Sequence, residues 1–179
     1  MNTITFVTSN DNKAREAEQI LGVSLARHSL ELDEIQSMDL AEVVEHKVRQ
    51  AYSILKKPVL VEDVGFYIKQ WNGFPGPLVK WLQETMGYTK LTKLLDKKNR
   101  QVEWQVMYGF FDGKKVQIFK GSGLGTIADK PRGTKGWGFD TILIPKGSAK
   151  TYAQMGSDER IKVSARMLAL RKLRRMISL

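Results

Sequence analysis

The chain is 179 residues long, 42% hydrophobic, with a formal net charge of +10. That suits one domain, with room for two lobes and enough apolar material for a sizeable core. With no cysteine, only His28 and His46 as histidines, and no run of about 18 apolar residues, the sequence excludes disulfides, thiolate or histidine-rich metal centres and a transmembrane helix. The first predicted element is a strand over residues 3–8, with no basic segment or cleavage site before it, so a cytoplasmic address is expected. Ser9-Asn10-Asp11 offers an N-cap for a helix ending at Leu21 before Gly22. A second strand falls within residues 24–32. Asp39 and Glu42 are spaced as a capping box for a helix over residues 40–55. A strand over residues 58–68 follows, then helices over 77–86 and 88–96. Two alternating strands, 102–111 and 115–124, are joined at Asp112-Gly113. A strand over 140–144 and a last helix over 158–178 complete an α/β pattern with an antiparallel hairpin in its middle. On that helix Val163, Met167, Leu170, Leu173 and Ile177 recur at helical spacing.

The candidate chemistry centres on the third strand. The apolar run Pro58-Val59-Leu60-Val61 ends in Glu62-Asp63. Acids at the end of a buried strand need a partner, and ligands of open α/β sheets bind at such strand ends. Successive strand side chains point to opposite faces, so the two acids need not share a task. Asn72-Gly73-Phe74-Pro75-Gly76-Pro77 makes a stiff loop soon after. Lys13 lies in the first turn of its helix, where free N–H groups and a cation attract anions, although a lone surface lysine is more often only solvated. Lys47 borders the apolar face set by Leu40, Val43, Val44, Val48, Ala51 and Leu55. It either snorkels outward or meets a carboxylate or phosphate. Glu34 alone reads as a surface acid. The ligands on offer are oxygens, which suit Mg²⁺ or Mn²⁺ with phosphate. Trp137 and Phe139 alternate with Gly136 and Gly138. That pattern either opens a ring to a flat ligand or places core aromatics beside a tight turn. Asp140 could accept from a base edge.

Taken together these segments resemble the inosine triphosphate pyrophosphatase, or Ham1-like, family. The matching stretches are Thr8-Ser9-Asn10-x2-Lys13-x2-Glu16, Glu34-Ile35-Gln36, Val61-Glu62-Asp63-x-Gly65, Asn72 to Pro77 with Lys80, Gly136-Trp137-Gly138-Phe139-Asp140 and Thr151-Tyr152-Ala153-Gln154-Met155. They occur in family order across nearly the whole chain. The resemblance implies a long mixed β-sheet with flanking helices, in two lobes around a central cleft, within a single domain spanning residues 1–179. It implies Mg²⁺-dependent hydrolysis (Mn²⁺ as the alternative) of ITP, dITP and XTP to monophosphate and pyrophosphate, by a homodimer. Carried over residue by residue, Asn10, Lys13, Lys47 and Lys80 hold the triphosphate, with Ser9 in the same substrate site. Glu34 and Asp63 hold the metal, Asp63 activates water, and Glu62 is its companion in the catalytic pair. Trp137 stacks on the base with Phe139 beside it, and Asp140, Arg160 and Arg166 face the base.

Three positions depart from the family pattern. Ala165 stands in place of histidine, Arg160 in place of lysine and Thr141 in place of proline. Base specificity therefore stays open, and a relative acting on another nucleotide is the alternative reading. A third is a basic nucleic-acid-binding protein, supported by Arg171-Lys172-x-Arg174-Arg175 and the lysine-rich segment from Lys93 to Arg100. The lysines and acids point away from it, because a solvated helix face explains both clusters.

Overall fold

The computed structural model describes residues 4–177 apart from positions 96 and 98. The start of the first predicted strand and the ends of the 88–96 and 158–178 helices therefore lie outside the described residues. The fold is mixed α/β, with a seven-stranded sheet ordered β2-β1-β3-β5-β6-β7 and β4 paired to β3. The chain divides into two compact units. The first comprises Met1–Val64, Val106–Gly121 and Arg166–Leu179, and the second Gly65–Gln105 and Ser122–Ala165. Strands β3 (Val59–Ile68), β5 (Gln101–Phe111) and β6 (Val116–Ile127) each begin in one unit and end in the other.

In the first unit, β1 (Thr5–Val7) pairs in parallel with β2 (Ala26–His28) and with the start of β3. Helix α1 (Asp11–Leu21) starts where the Asn10 side chain accepts from the Asn12 and Lys13 amides at 2.9 and 3.2 Å. It stops at Gly22, whose φ of 73° is left-handed. Helix α2 (Leu40–Leu55) buries Leu40, Val43, Val44, Val48 and Ala51, one stripe at helical spacing. Val44, Val48 and Ala51 pack with Val7, Val59, Val61 and Met107. Fully burying each such aliphatic side chain is worth about 1.5–3 kcal/mol. Gly109 permits the close approach of α2, since a Cβ there would come within 2.7 Å of Val44 Cγ1. The expected capping box is only half formed. Asp39 caps the Ala41 amide at 2.8 Å, whereas Glu42 accepts from the Ser37 hydroxyl at 2.7 Å.

In the second unit, β4 (Pro75–Gly76) runs antiparallel to the end of β3, and β7 (Leu143–Pro145) antiparallel to the end of β6. Helices α3 (Val79–Thr85) and α4 (Tyr88–Leu94) fall where expected. Two sequence expectations need correction. The strand expected at 140–144 begins only at Leu143, because Gly138–Thr141 forms a 3-10 turn. The single last helix is two helices, α5 (Ser157–Val163) and α6 (Ala165–Ile177), separated by Ser164 in an extended conformation with ψ 117°. Tyr152 donates its hydroxyl to the Val163 carbonyl at 2.9 Å, capturing an acceptor that a continuous helix would use four residues on.

Candidate active site

In the first unit the candidate side chains form two groups, one on each face of β3. Glu62 and Asp63 are consecutive, so the pleat sends them to opposite sides.

Lys47, on the border of the α2 apolar stripe, sends its ammonium to Asp63 Oδ2 at 2.7 Å and to Glu34 Oε1 at 2.9 Å. Of the two outcomes open to it in sequence, it meets carboxylates. Asp63 Oδ1 accepts its neighbour's amide, from Val64, at 2.8 Å. The Asp63 side chain keeps 19% exposure and that of Glu34 44%. Burial works against the Lys47 charge, but Asp63 and then Glu34 outweigh it and raise the lysine above its ordinary range. Lys47 is therefore a permanent cation between two anions.

Glu62 has no exposed side-chain surface. Its Oε2 accepts from Tyr108 Oη at 2.7 Å and from Arg166 Nε at 2.9 Å. Its Oε1 accepts from Arg166 Nη2 at 3.0 Å and faces Lys13 Nζ at 3.3 Å. Arg166 also pairs with Glu16, which sits one helical turn after Lys13 on α1. Burial alone would raise the Glu62 pKa. The Arg166 and Lys13 charges and the hydrogen bonds from Arg166 and Tyr108 prevail and lower it to about 2. Glu62 thus stays ionised and enclosed. A proton acceptor must reach the water it serves, and the enclosed Glu62 carboxylate has no exposed surface to do so.

The second unit holds the aromatic group. Asp140 Oδ2 accepts the Trp137 amide at 3.1 Å and Arg160 Nη2 at 3.0 Å. The Arg160 guanidinium lies 5.9 Å from the Trp137 ring centre and 5.4 Å from that of Tyr152, both within cation–π range. Gly136, with φ 81°, lets this turn close, because a Cβ there would collide with the Asp140 carboxylate. Burial, and then the Asp140 charge, raise the Tyr88 pKa.

Several carried-over roles meet a different geometry. Asn10 spends its side-chain oxygen on capping α1. Ser9 is exposed, and its carbonyl accepts from Arg27 at 3.3 Å. Phe139 stacks on Phe66 with ring centres 4.5 Å apart, the core-like of its two readings. Lys80 is exposed beside the Trp81 ring, 5.8 Å from its centre. Arg166, expected at a base edge, has its guanidinium on Glu62 and Glu16 in the first unit, whereas Asp140 and Arg160 belong to the second. Tyr108 and Glu16 carried no expected role. A tyrosine inside a buried strand needs a partner for its hydroxyl, and that was the available signal for the first.

Among the described residues no three His, Asp or Glu side chains gather as a ready metal cage. Glu34 and Asp63 do converge on one cation, the Lys47 ammonium. Two hard oxygen donors fit Mg²⁺, which takes its remaining ligands from water and phosphate. A cavity of about 780 Å³ in the second unit, lined by Tyr67, Lys69, Glu103, Leu124 and Lys146 among others, contains none of the residues expected to carry chemistry. No helix among the described residues is long and apolar enough to cross a membrane.

A family model described as the Ham1 family matches residues 4–176. A dITP/XTP pyrophosphatase of Methanopyrus kandleri is 38% identical over 174 residues, covering 94% of this chain and 93% of that protein. An inosine triphosphate pyrophosphatase of Schizosaccharomyces pombe is 38% identical over 179 residues, covering 97% and 94%. Among solved structures, a HAM1 protein from Coxiella burnetii superimposes with a TM-score of 0.85 at 22% identity, covering 99% of each chain. At that identity the likeness speaks for the fold.

Proposed function

The chain belongs to the Ham1 family, and from that premise we propose that it hydrolyses deaminated purine nucleoside triphosphates such as ITP, dITP and XTP to the monophosphate and pyrophosphate. The observation that carries this reading is the Lys47 ammonium held between Asp63 and Glu34. It combines a phosphate-binding cation, a partly exposed base and a second carboxylate within one hydrogen-bonded group.

In this reading Lys13, Lys47 and Lys80 meet the phosphates. Such charges stabilise charge that builds on phosphate oxygens. Asp63 takes a proton from water as the water oxygen bonds to phosphorus. The P–O bond bridging the α- and β-phosphates breaks, and its electron pair leaves on the departing oxygen. Glu34 and Asp63 would hold Mg²⁺, with Lys47 moving from them to phosphate. The ion would supply positive charge to the phosphate oxygens. Trp137 would lie against the base.

A second reading, altered base preference, is favoured by Ala165 and Arg160. Ala165 is 1% exposed and offers a base no polar group, and the Arg160 fork engages Asp140. A fork and a point charge read different edges. Pyrophosphate release from ITP, XTP, GTP and ATP with Mg²⁺ tests both readings. Release from none of them rejects the activity, and release favouring a different triphosphate selects the second reading. A homodimer is proposed as well, supported by Phe74, Trp81 and Leu124 of the second unit at 43%, 55% and 58% exposure. A mass near the 20.4 kDa of one chain in light scattering rejects it.

A further inference from the structure

Glu62 is too enclosed to touch a substrate, yet it has more partners than charge neutrality requires. A carboxylate offers about four acceptor sites. Here three are taken by hydrogen bonds, from Tyr108 Oη and Arg166 Nε on Oε2 and from Arg166 Nη2 on Oε1, and the Lys13 ammonium forms an ion pair with Oε1 at 3.3 Å. Those three donors belong to side chains buried inside the first unit. Tyr108 is 0% and Arg166 8% exposed, and the Tyr108 ring lies 5.9 Å from that of Phe6. Lys13 is the outer member of the group, with 19% side-chain exposure. Its stem is flexible and its ammonium has no directional fork. The position of that ammonium therefore follows the position of Glu62 Oε1.

We propose that Tyr108 is a positioning residue for phosphate capture. Its hydroxyl, together with the Arg166 fork, fixes the plane of the Glu62 carboxylate, and that plane sets where Lys13 presents its ammonium at the start of α1. The inference rests on the reading of Lys13 as a phosphate ligand. Tyr108 keeps its proton, because burial and then the Glu62 charge raise its pKa well above the ordinary value. It remains a donor wherever Glu62 is ionised. Without that donor the carboxylate is held only by the two bonds of the Arg166 fork, and it can shift together with that fork and carry Lys13 with it. A role confined to satisfying a buried carboxylate predicts lost stability and nothing else.

The two are separated by titrating inorganic pyrophosphate into the full chain by calorimetry, for the parent, Tyr108→Phe, Lys13→Ala and the double variant. Tyr108→Phe should raise the pyrophosphate Kd about five- to tenfold, and should change it less than about twofold when Lys13 is already alanine, since groups acting through one another are not additive. In turnover assays KM for the triphosphate should rise by the same factor with kcat within about twofold, the pattern of lost uniform binding. A Tyr108→Phe protein with lower Tm but parental Kd and KM overturns the proposal, as does an equal loss in both backgrounds. Should Tyr108→Phe fail to fold by circular dichroism, Glu62→Gln repeats the cycle one link nearer Lys13, and the same two patterns decide it. A parent that binds pyrophosphate but releases none from any triphosphate rejects the activity while the cycle still decides the positioning role. A parent with no pyrophosphate affinity overturns the inference itself.

Discussion

Glu62 and Asp63 are adjacent on β3 and chemically almost alike, yet the fold treats them oppositely. Glu62 faces inward, is fully enclosed and is held by hydrogen bonds from α6 and β5 and an ion pair with α1. Asp63 faces Lys47, shares that one cation with Glu34 and keeps part of its surface open. The difference shows how one strand end can be both anchor and instrument. The enclosed acid ties three elements together through a buried ion network, and the neighbour shares a single ammonium with Glu34. A pair of acids in a sequence does not say which is which. The pleat separates them, and burial tells them apart.

The contrast breaks most visibly at Asp63. Asp63→Asn should lower kcat by about 10²–10⁴, the usual worth of a positioned base, while nucleotide binding and Tm stay near parental. Turnover within about threefold of the parent would place the base elsewhere. Glu62→Gln should do the reverse in character. Removing one partner of a buried pair costs roughly 3–5 kcal/mol, read as a shifted midpoint in urea. A midpoint unchanged from the parent would show that the network carries no stability.

Acid titration sharpens the same comparison. Glu62 is lowered from 4.5 to about 2 in the folded chain. Its share of stability is therefore fully present above about pH 4.5 and is lost as pH falls towards about 2. Glu62→Gln should flatten that limb of the stability–pH curve, whereas Asp63→Asn should leave most of it. A limb equally steep in Glu62→Gln would assign the acid sensitivity to other groups. The smallest effect belongs to neither acid. Ala165→His should raise the preference for ITP over GTP by about 10- to 100-fold in kcat/KM, the worth of one well-placed polar contact. A parent already preferring ITP by about 100-fold, and unmoved by histidine, would mean that this position does not read the base.

Much of this was legible in the sequence because it is local. The α1 cap at Asn10, the α2 stripe and the end of β3 follow from spacing alone. The place of Lys47 beside the apolar stripe was legible too, but it left snorkelling and a carboxylate or phosphate partner equally open, and Asp63 and Glu34 decided between them. What escaped is long-range. Arg166 reaches Glu62 across 104 positions, and no periodicity announces such a pair. At the break at Ser164 the Val163 carbonyl takes a hydroxyl from Tyr152, a contact the apolar spacing cannot show, so the segment read as one helix. Phe139 had two readings, and Phe66, far away in the chain, chose the packed one.

The Lys47 ammonium is a tethered counter-ion. Two carboxylates brought together by folding would repel, and many proteins enlist a free ion to hold them. Here the compensating charge is part of α2 and arrives with it. The architecture of the first unit is thereby freed from the supply of any dissolved cation. Exhaustive treatment with EDTA should leave the melting curve of the protein where it was, and a drop in Tm on chelation would mean that the lysine does not do this alone.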